Sequence, residues 1–544
     1  MDAAAPGAAR RDYVVWLVVA ATAAALTAAF AARYGALNQA TYLLDPLRRA
    51  MPELFRRDWL VGELPPDLPA FGWLTQWLYA VDPEGPVAVL AASFVVTLGT
   101  YVAMHRLVTA VCPGARGFVI VASFVTVTMG RAMGGSYLLA GYLQPSSLAT
   151  LGWIWAMAEL VRARYLACGI VLAVAGALHV NFLVLGIGLF TLGALARRDA
   201  RPVELIRLLA PQLVVLAFYL PDLLGAARPS DEAVQILVRF HAPGHYDGRR
   251  LMSWIPPLVG WQLAALAALP LIGGAARAVR ALWRFSLMSF AVAVATAVIV
   301  RIPALLSLTQ VRWSRIAPFG QLACQVLVVA ALIHQAGAPA RSIARRAWLA
   351  PAIALALVLN ARALHTPWPA TVIAIAGAAA VLALPSRLAR HAATGLAVIA
   401  LGVALWASPR GAGLTTEPVG STGELALARW VRASTPTDAL FVAPPDLMRF
   451  RLHARRAVIA DTKSPPLRPD YLVQWYRRLC AMVDRPDVAT HEDVEQLYPQ
   501  LAPEQLERIA RTFGADYIVV AAAMRMPGTP VYANPDFAVY RVAR

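Results

Sequence analysis

The segment YGALNQATYLLDPLRRAMPELFRRDWLVGELPPDLPAFGWLTQWLYAVDP, residues 34–83, is too long and too polar to be a simple connection between two helices. It lies between two apolar runs, 13–33 and 86–111, each of a length that spans a bilayer. Long segments that join rigid elements often carry binding and catalytic residues. The sequence therefore predicts a functional loop on one membrane surface.

The composition predicts a polytopic α-helical membrane protein. Of the 544 residues, 59% are hydrophobic and only 15% are charged, whereas soluble domains have about a quarter charged. Apolar runs of spanning length recur through the first three quarters of the chain, and we predict about thirteen spans. The predicted spans are 13–33, 86–111, 116–130, 146–162, 164–179, 181–196, 203–220, 256–275, 283–300, 314–336, 347–362, 368–384 and 392–408.

The arginines predict the orientation in the membrane. Many of the positive residues behind the formal net charge of +18 lie in alternate short loops that contain few acids, which is typical of cytoplasmic loops. This distribution argues against nucleic acid as a partner. The first apolar run has no small-residue cleavage site and indicates a retained helix. With the N-terminus inside and an odd number of spans, everything after about residue 410 lies outside.

Several classes of site are disfavoured by the sequence. The four cysteines form no close-spaced pair, so a disulfide framework or a zinc site is not expected. No phosphate-cradling glycine loop, nucleotide fingerprint or nucleophile motif is present, which argues against cytosolic nucleotide-driven chemistry. The composition, rich in alanine and arginine with a single lysine, indicates a GC-rich bacterium and hence the inner membrane.

The tail, residues 411–544, has a different pattern from the transmembrane domain, residues 1–410 with outer loops 34–85 and 221–254. STGELALARWVRAST has apolar residues at helical spacing after a Ser/Thr start. ALFVA, AVIAD and YIVVA are β-rich runs of strand length, and PEQLERIARTFG predicts a helix that ends at a glycine. The residues VYANPDFAVYRV predict a hairpin. We therefore expect a small extracytoplasmic α/β domain.

This layout resembles the GT-C superfamily of membrane glycosyltransferases, in particular the protein mannosyltransferases and the lipid A aminoarabinose transferases. These enzymes move a sugar from a polyprenyl-phosphate carrier to an acceptor outside the membrane. In the first outer loop they carry an acidic pair, a tyrosine, a Gly-Asp-Trp-like element and a Pro-Pro segment with tryptophan. The corresponding residues here are Asn38-Gln39, Tyr42, Arg57-Asp58-Trp59, Pro65-Pro66, Trp73 and Trp77.

One departure from the family concerns the catalytic base. The positions that match the acidic pair are the amides Asn38 and Gln39, which cannot deprotonate an acceptor hydroxyl. Either the base has moved, with Asp58 as first candidate and Asp45 as second, or the protein binds a lipid-linked glycan without turning it over. The alternative for Asp58 is an ion pair with Arg56 or Arg57 on an interfacial helix.

A phosphate-binding site is predicted at Arg312 and Arg315, which flank Trp313 on the outer side, where arginine is scarce. The guanidinium fork binds phosphate oxygens with two hydrogen bonds. At a helix start both side chains would point to one side, and Gln310 is expected to share the site. The alternative is contact of these arginines with lipid headgroups.

The second outer loop contains FHAPGHY, with His241 and His245 beside Arg239 and Tyr246. On a helix the two histidines would suit a metal, but Pro243 and Gly244 disfavour a helix there. A substrate-contacting loop and a solvated loop are the other interpretations. Two further polar positions interrupt apolar runs: His179 and Asn181, and Gln144. The first two are interpreted as the interfacial end of two short helices, with a polar contact inside the cavity as the alternative. Gln144 is interpreted in the same way, with more weight on a cavity-facing loop.

Lys463 is the only lysine in the chain, and it lies two residues after AVIAD, residues 457–461. The carboxyl end of a strand in an open α/β sheet commonly carries ligand-contacting residues. With Arg456 and other arginines nearby, Lys463 is a candidate for binding the anionic carrier or an anionic glycan. The alternative is an ion pair between Lys463 and Asp461.

These observations predict a membrane glycosyltransferase that uses a polyprenyl-phosphate-linked sugar, with membrane lipids as its surroundings. The resemblance leaves a divalent cation open as cofactor, since some members need one and others do not. A non-catalytic protein of the same fold that presents a lipid-linked glycan is the second hypothesis. A transporter is the third, although no internal repeat and no acid deep inside a span support it.

Overall fold

The computed structural model divides the chain into two compact units, each built from three separate stretches. The helical unit comprises Met1–Ala32, Ala92–Pro221 and Gly244–Leu414, and the sheet unit comprises Arg33–Ala91, Asp222–Pro243 and Thr415–Arg544. Most of both predicted outer loops thus clusters with the tail. The structure describes residues 6–30, 33–128, 133–197, 200–225, 229–273, 276–302, 305–306, 311–338, 347–364, 368–407 and 415–543.

The helical unit identifies a multi-pass membrane protein. Among the described residues, seven helices are long and apolar enough to cross a membrane, and five shorter apolar helices accompany them. The count of thirteen spans stays a prediction. The long and intermediate helices are Pro6–Phe30, Pro86–Thr109, Ala115–Thr128, Pro145–Val161, Tyr165–Leu178, Val180–Ala196, Pro202–Gly225, Ile255–Ala268, Ala276–Ile299, Ala317–Gly337, Leu349–Leu364, Trp368–Ala383 and Ser386–Ala407.

One helix, Ala317–Gly337, forms the centre of the helical unit. It contacts the helices Ala115–Thr128, Ile255–Ala268, Ala276–Ile299 and Ser386–Ala407. The apolar window that contains it is 94% buried, whereas that of Pro202–Asp222 is only 11% buried. A helix that is apolar on all sides is stable only when other helices or lipid surround it. We infer that Ala317–Gly337 is surrounded by protein and that Pro202–Asp222 faces lipid.

Short elements occupy the turns of the helical unit. Gly248–Ser253 is a short α-helix, and the 3₁₀ turns are Met133–Gly135, Leu269–Leu271 and Trp313–Ile316. Pro243–Tyr246 forms a separate helical turn, and Ala242, with a φ of −136°, interrupts the chain between this turn and Ile236–His241. No single helix therefore carries both His241 and His245, as the positions of Pro243 and Gly244 predicted. Proline is compatible with the first turn of a helix, because its missing N–H would have no partner there.

The sheet unit is an α/β domain with a mixed five-stranded sheet, as the tail sequence predicted. The strands are β1 Leu440–Val442, β2 Ala457–Val458, β3 Tyr517–Ala521, β4 Tyr532–Ala533 and β5 Phe537–Arg541. Their order is β2-β1-β3-β5-β4, with β1 parallel to β2 and β3, and β5 antiparallel to β3 and β4. The helices are Thr422–Ser434, Phe450–Ala454, Pro469–Met482, His491–Leu497 and Pro503–Phe513, and Tyr498–Gln500 is a 3₁₀ turn.

Alternation along the strands produces two hydrophobic cores. Leu440 and Val442 of β1 join one core, whereas Phe441 between them joins the other. This is the period of two that places successive side chains on opposite faces of a sheet. The core on the side of Leu440 also includes Trp59 and Phe240, from the predicted first and second outer loops. These two segments therefore complete a core that the tail alone leaves open.

The loop segments of the sheet unit are themselves helical. The first contributes Gln39–Tyr42, Leu44–Ala50, the π-helical turn Trp59–Glu63 and Pro69–Val81. The second contributes Asp231–Gln235 and the π-helical turn Ile236–His241. Within the tail, capping boxes at Ser421 and Thr490 start two helices, and Gly514 ends a third with a φ of 65°. These caps supply hydrogen bonds that the helix ends otherwise lack.

Candidate functional site

The polar end of the helical unit brings together residues from four chain segments. Arg315, in the turn Trp313–Ile316, donates a hydrogen bond to Nε2 of His179 over 2.8 Å. The Arg315 guanidinium also lies 6.0 Å from the centre of the Phe182 ring. Because a guanidinium can only donate, Nε2 of His179 must accept, and the imidazole is neutral with its proton on Nδ1.

Gly134 brings a third segment to the same place. A Cβ added to this residue would lie 2.2 Å from Oγ of Ser314 and 3.8 Å from Nδ1 of His245. Gly134 has a φ of 66°, which favours glycine. Gly134, His179, His245, Ser314 and Arg315 thus form one group, which we call the Arg315 cluster. It offers a guanidinium and two imidazoles, a set suited to the oxygens of a phosphate.

His179 lies at the junction of two short helices, as the sequence interpretation had it, and its contact with Arg315 favours the alternative of a buried polar contact. It lies between the helices Tyr165–Leu178 and Val180–Ala196, and it is 5% exposed. Nδ1 of His179 is buried and has no hydrogen-bond partner among the described residues. The available signal was a single histidine that interrupts an otherwise apolar run, and the partner Arg315 lies 136 residues further along the chain.

Arg312 precedes the turn and has a left-handed backbone conformation, with a φ of 48°. The positive charges of Arg315 and Arg312 both interact electrostatically with the His179 imidazole. Gln310, the third residue of the predicted phosphate site, lies outside the described residues. Tyr246 follows His245 on the turn Pro243–Tyr246 and is buried.

A cavity with a polar lining lies in the same unit, along the segment that follows Gly134. Gln144, buried at the start of the helix Pro145–Val161, is part of its wall, as the cavity-facing interpretation expected. The lining has no charged side chain, and hydroxyl groups contribute much of its polarity. The polar side chains around it are those of Thr97, Thr100, Tyr137, Gln144, Ser146, Ser147 and Thr150.

In the sheet unit, Asp58 is fully buried and its carboxylate accepts several hydrogen bonds. Oδ1 accepts from the Val61 amide over 3.0 Å, and Oδ2 accepts from Nε of Arg451 over 2.8 Å and from the Val458 amide over 3.0 Å. The ion-pair partner is thus Arg451, and neither Arg56 nor Arg57. These contacts favour a structural role over that of a base, which stays a prediction.

Asp45, the second candidate base, is more accessible. Its Oδ2 accepts from Nε of Arg49 over 2.9 Å, and the side chain of Asp45 is 27% exposed. Arg49 in turn lies over the ring of Trp73, 5.3 Å from its centre. The backbone of Gly72 passes so close that an added Cβ would lie 1.8 Å from Oδ2 of Asp45. Any side chain at position 72 would displace this carboxylate.

The remaining first-loop candidates are partly or fully buried. Gln39 is 0% exposed, and its Oε1 accepts from the amide of Gly35 over 2.9 Å. Gly35 has a φ of 83° and leaves room for the ring of His453. Gln39 therefore holds a tight turn, while Asn38 and Tyr42 are half-buried beside it.

Residues of the second loop divide between the two units. Arg239 is exposed and His241 half-buried in the sheet unit, whereas His245 and Tyr246 belong to the helical unit. The His241 ring lies 5.9 Å from that of Trp475 and 6.4 Å from that of His491. Among the described residues no group of three or more His, Cys, Asp or Glu side chains is arranged to hold a metal ion.

The two tail candidates have different surroundings. Arg456 is buried and donates to backbone carbonyls of Arg432 and Thr435, so it closes the end of the helix Thr422–Ser434. Lys463 is half-buried, and its amide donates to Oδ1 of Asp461 over 2.8 Å. The Asp461 carboxylate pairs with Arg451. The charge of Asp461 also acts on the Lys463 ammonium, but the alternative ion pair between these two side chains is not found among the described residues.

Comparison with known proteins identifies the fold. ArnT from Cupriavidus metallidurans in the apo state superimposes with a TM-score of 0.53 over 98% of both chains, at 15% sequence identity. The fold is GT-C-like. The architecture predicted from the sequence is thereby confirmed, and this degree of identity shows the fold alone.

Other comparisons add little about activity. ArnT from the same organism bound to undecaprenyl phosphate gives a TM-score of 0.46 at 13% identity, over 99% of both chains. Residues 422–482 match DUF6798, a domain of unknown function. No curated protein matches the sequence.

Proposed function

We propose that the protein is a membrane glycosyltransferase that transfers a sugar from a polyprenyl-phosphate-linked donor to an acceptor on the outer face of the membrane. The observation that carries the proposal is the Arg315 cluster, a guanidinium oriented by a buried neutral histidine in a GT-C-like fold. The donor is amphipathic, and a membrane-embedded unit with a polar end suits it. The bacterial inner membrane is the proposed location, with the N-terminus cytoplasmic and the sheet unit periplasmic.

Arg315 would act on the leaving group. In the transfer, an acceptor hydroxyl oxygen forms a bond to C1 of the sugar. The bond from C1 to the phosphate oxygen breaks, and its electron pair stays with the phosphate. The negative charge that develops there is stabilised by the Arg315 guanidinium, which the hydrogen bond to His179 holds in orientation. The Nδ1–H of the neutral His179 offers a further donor near the same charge.

The acceptor proton must pass to a base, and three side chains are candidates. Asp58 accepts three hydrogen bonds that it would have to lose. Asp45 is partly exposed and has a single ion-pair partner, which makes it the better carboxylate. His245 lies in the Arg315 cluster and, as a neutral imidazole, could also accept a proton. We place His245 first, because it belongs to the same unit as Arg315, and keep Asp45 as the second candidate.

The hydroxyl-lined cavity is proposed to hold neutral polar groups of the substrate. Threonine, serine and glutamine side chains both donate and accept, which matches the hydroxyl groups of a sugar. The lining carries no charge and would not compete with Arg315 for the phosphate. Gln144 is the side chain with the largest hydrogen-bonding capacity in this lining.

A non-catalytic glycolipid-binding protein is the second candidate. The amides Asn38 and Gln39 at the positions of the family's acidic pair favour it, together with the hydrogen bonds that occupy Asp58. Such a protein would use the same Arg315 cluster to bind the phosphate but would not break the bond to the sugar.

The test is turnover of a radiolabelled polyprenyl-phosphate sugar by the purified full-length protein in lipid nanodiscs. The variants are Arg315→Gln, Asp45→Asn, His245→Gln and Asp58→Asn. Arg280→Gln, an exposed position in the same unit, serves as the matched control. Loss of one oriented donor typically lowers kcat about 10²–10³-fold, and we expect this for Arg315→Gln. The control should keep wild-type turnover.

The base variants separate the remaining hypotheses. Loss of turnover in Asp45→Asn, with unchanged donor binding, would assign the base to that carboxylate. Loss only in His245→Gln would place the base in the Arg315 cluster. Tight donor binding by the wild type without release of carrier phosphate would support the non-catalytic candidate and contradict the transferase. Absence of donor binding would contradict both.

A further inference from the structure

Lys463 lies where a ligand-binding residue of an α/β sheet is expected, and its ammonium group makes no hydrogen bond or ion pair in the described part of the chain. It follows β2 at the carboxyl end of the strand, next to the parallel strand β1. The side chain is half-buried. A cation that is partly removed from water is costly. Burial lowers the pKa of Lys463, the charge of Asp461 opposes this, and the charge of Arg449 lowers the pKa further.

Asp461, the acid beside Lys463, already forms an ion pair with another cation. Asp461 forms an ion pair with Arg451, and its backbone carbonyl accepts from Nε1 of Trp475 over 2.9 Å. Its Oδ1 accepts a hydrogen bond from the backbone amide of Lys463. This contact fixes the backbone at position 463 and does not involve the Lys463 side chain. The hydroxyl of Thr41 lies 3.3 Å from the Lys463 carbonyl and adds a second tether.

His491 is the second component, and it too has an unmatched polar atom. Its Nε2 is buried and has no hydrogen-bond partner in the described part of the chain. The ring contacts the edges of Phe240, with centroids 4.5 Å apart, and of Trp475, 6.1 Å apart. Trp475, which lies against this ring, also donates from Nε1 to the carbonyl of Asp461, two residues before Lys463. Burial lowers the pKa of His491, the charge of Glu492 opposes this, and the charge of Lys463 lowers the pKa further.

His241 completes the group from another chain segment. Its ring lies 6.4 Å from that of His491 and 5.9 Å from that of Trp475. Lys463, His491 and His241 therefore come from three separate stretches of the sheet unit, and both imidazole rings lie near Trp475, which is hydrogen-bonded to the backbone just before Lys463. A histidine near a cation gains a proton readily only when an anion is also bound there.

We propose that Lys463, His491 and His241 form a binding site in the sheet unit for a phosphate monoester or inorganic phosphate, distinct from the Arg315 cluster. Phosphate carries three terminal oxygens in a tetrahedral arrangement, so it can accept from the ammonium and from imidazoles on different sides, whereas both oxygens of a carboxylate lie in one plane. A compact ammonium with three donors suits this shape, which explains why a chain otherwise built with arginine has lysine here.

The single lysine makes the test direct. Growth on ¹⁵N-lysine labels one residue, so the full-length protein in nanodiscs gives a single side-chain nitrogen signal. This signal is followed by NMR during titration with inorganic phosphate in phosphatidylcholine discs, and separately in discs that contain phosphatidic acid. His491→Gln is the test variant. Arg477→Gln, an exposed position on the helix Pro469–Met482, is the control.

The expected result is a saturable shift of the Lys463 signal, with a rise in the pKa of its ammonium, upon phosphate binding. His491→Gln should weaken binding about tenfold, as loss of one charge-assisted hydrogen bond implies, and Arg477→Gln should not. A shift with inorganic phosphate identifies the free anion as sufficient, and a shift only with phosphatidic acid identifies a lipid phosphate. Absence of a shift in both titrations, or equal affinity in His491→Gln, would overturn the proposal.

Discussion

Arg451 lies between two buried carboxylates, and this arrangement defines how the sheet unit is held together at the scale of single residues. Its Nε donates to Asp58 in the first loop, and another of its nitrogens contacts Asp461 after β2. All three side chains are nearly inaccessible to water. Burial raises the pKa of Asp461, which the Arg451 charge opposes. Within this group of three side chains, the Arg451 guanidinium thus supplies the positive charge that offsets both carboxylates.

Removal of Arg451 should therefore destabilise the sheet unit strongly. Arg451→Gln leaves two buried carboxylates without their cation, and breaking a buried ion pair in this way costs about 3–5 kcal/mol. We expect a lower midpoint of thermal unfolding in detergent and faster proteolysis of the tail. Arg429→Gln, an exposed arginine in the same unit, is the control. Equal stability of the two variants would contradict the structural role of this group.

The titration of Asp67 should make the free energy of unfolding depend on pH, in a direction that follows from its pKa. Its Oδ2 accepts from the amide of Leu467 over 2.9 Å, and burial raises its pKa to about 6. An unfolded aspartate releases its proton near pH 4, so between about pH 4 and 6 the folded state binds more protons. The free energy of unfolding therefore falls as the pH rises through this window, and the loss is complete above it.

Asp67→Asn should abolish this dependence, because an amide stays neutral and its oxygen can still accept from Leu467. At pH 7.5 we expect the variant to be more stable than the wild type by about 1–2 kcal/mol, given 1.36 kcal/mol per unit of pKa difference. Thermal unfolding of both proteins between pH 4.5 and 8 measures it. A variant whose stability keeps the wild-type slope would show that another group is responsible.

At the scale of elements, the turn Trp313–Ile316 and the turn that contains Gly134 position the Arg315 cluster. Gly134→Ala would place a methyl group 2.2 Å from Oγ and 2.8 Å from Cβ of Ser314, so one turn must move. We expect donor turnover to fall at least about tenfold, since small misplacements at a reacting centre have effects of this size. Stability should fall less, because the contact lies at the end of the helices.

Gly114→Ala separates this effect from backbone strain. Gly114 has a φ of 96°, but an added Cβ there would meet nothing within 4 Å. The Gly114→Ala variant should therefore be destabilised only by the left-handed backbone conformation of the new alanine, by about 1–2 kcal/mol. Turnover per folded molecule should remain that of the wild type. If both glycine variants lose turnover equally, the position of the Ser314 turn is not what supports the cluster.

Local patterns made the elements of the tail predictable, whereas contacts between distant segments were not. The strands at ALFVA and YIVVA, and the helix ended by Gly514, follow from short apolar runs and caps. The Asp58–Arg451 pair joins residues 393 positions apart, and the sequence offered Arg56 and Arg57 as nearer partners. The grouping of His491 with Lys463 was missed for the same reason.

At the scale of the whole molecule, the tail is not a self-sufficient domain. Trp59, Ile236 and Phe240 contribute to its core from two segments that precede it by hundreds of residues. The match to a domain of unknown function covers only 422–482, which lacks β3, β4 and β5 of the sheet. The membrane helices and the sheet unit are thus interleaved along the chain, and the predicted boundary near residue 410 separates only part of them.

A fragment with residues 415–544 should therefore fail to form a stable fold. It lacks the aromatic residues that cover one face of the sheet and the Asp58 partner of Arg451, so about 3 kcal/mol or more is lost for the unpaired charge alone. Far-ultraviolet circular dichroism and thermal unfolding of the purified fragment measure this. A cooperative transition near that of the sheet unit in the full-length protein would contradict the interleaved organisation.

The Arg315 cluster is proposed to bind the phosphate of a polyprenyl-linked donor and to promote release of the carrier phosphate from the sugar. The most direct measurement is the release of radiolabelled polyprenyl phosphate by the full-length protein in nanodiscs, wild type beside Arg315→Gln and Arg280→Gln. We predict release by the wild type and by Arg280→Gln, and a rate about 10²–10³-fold lower for Arg315→Gln. Release at the same rate by all three proteins would contradict this role of Arg315.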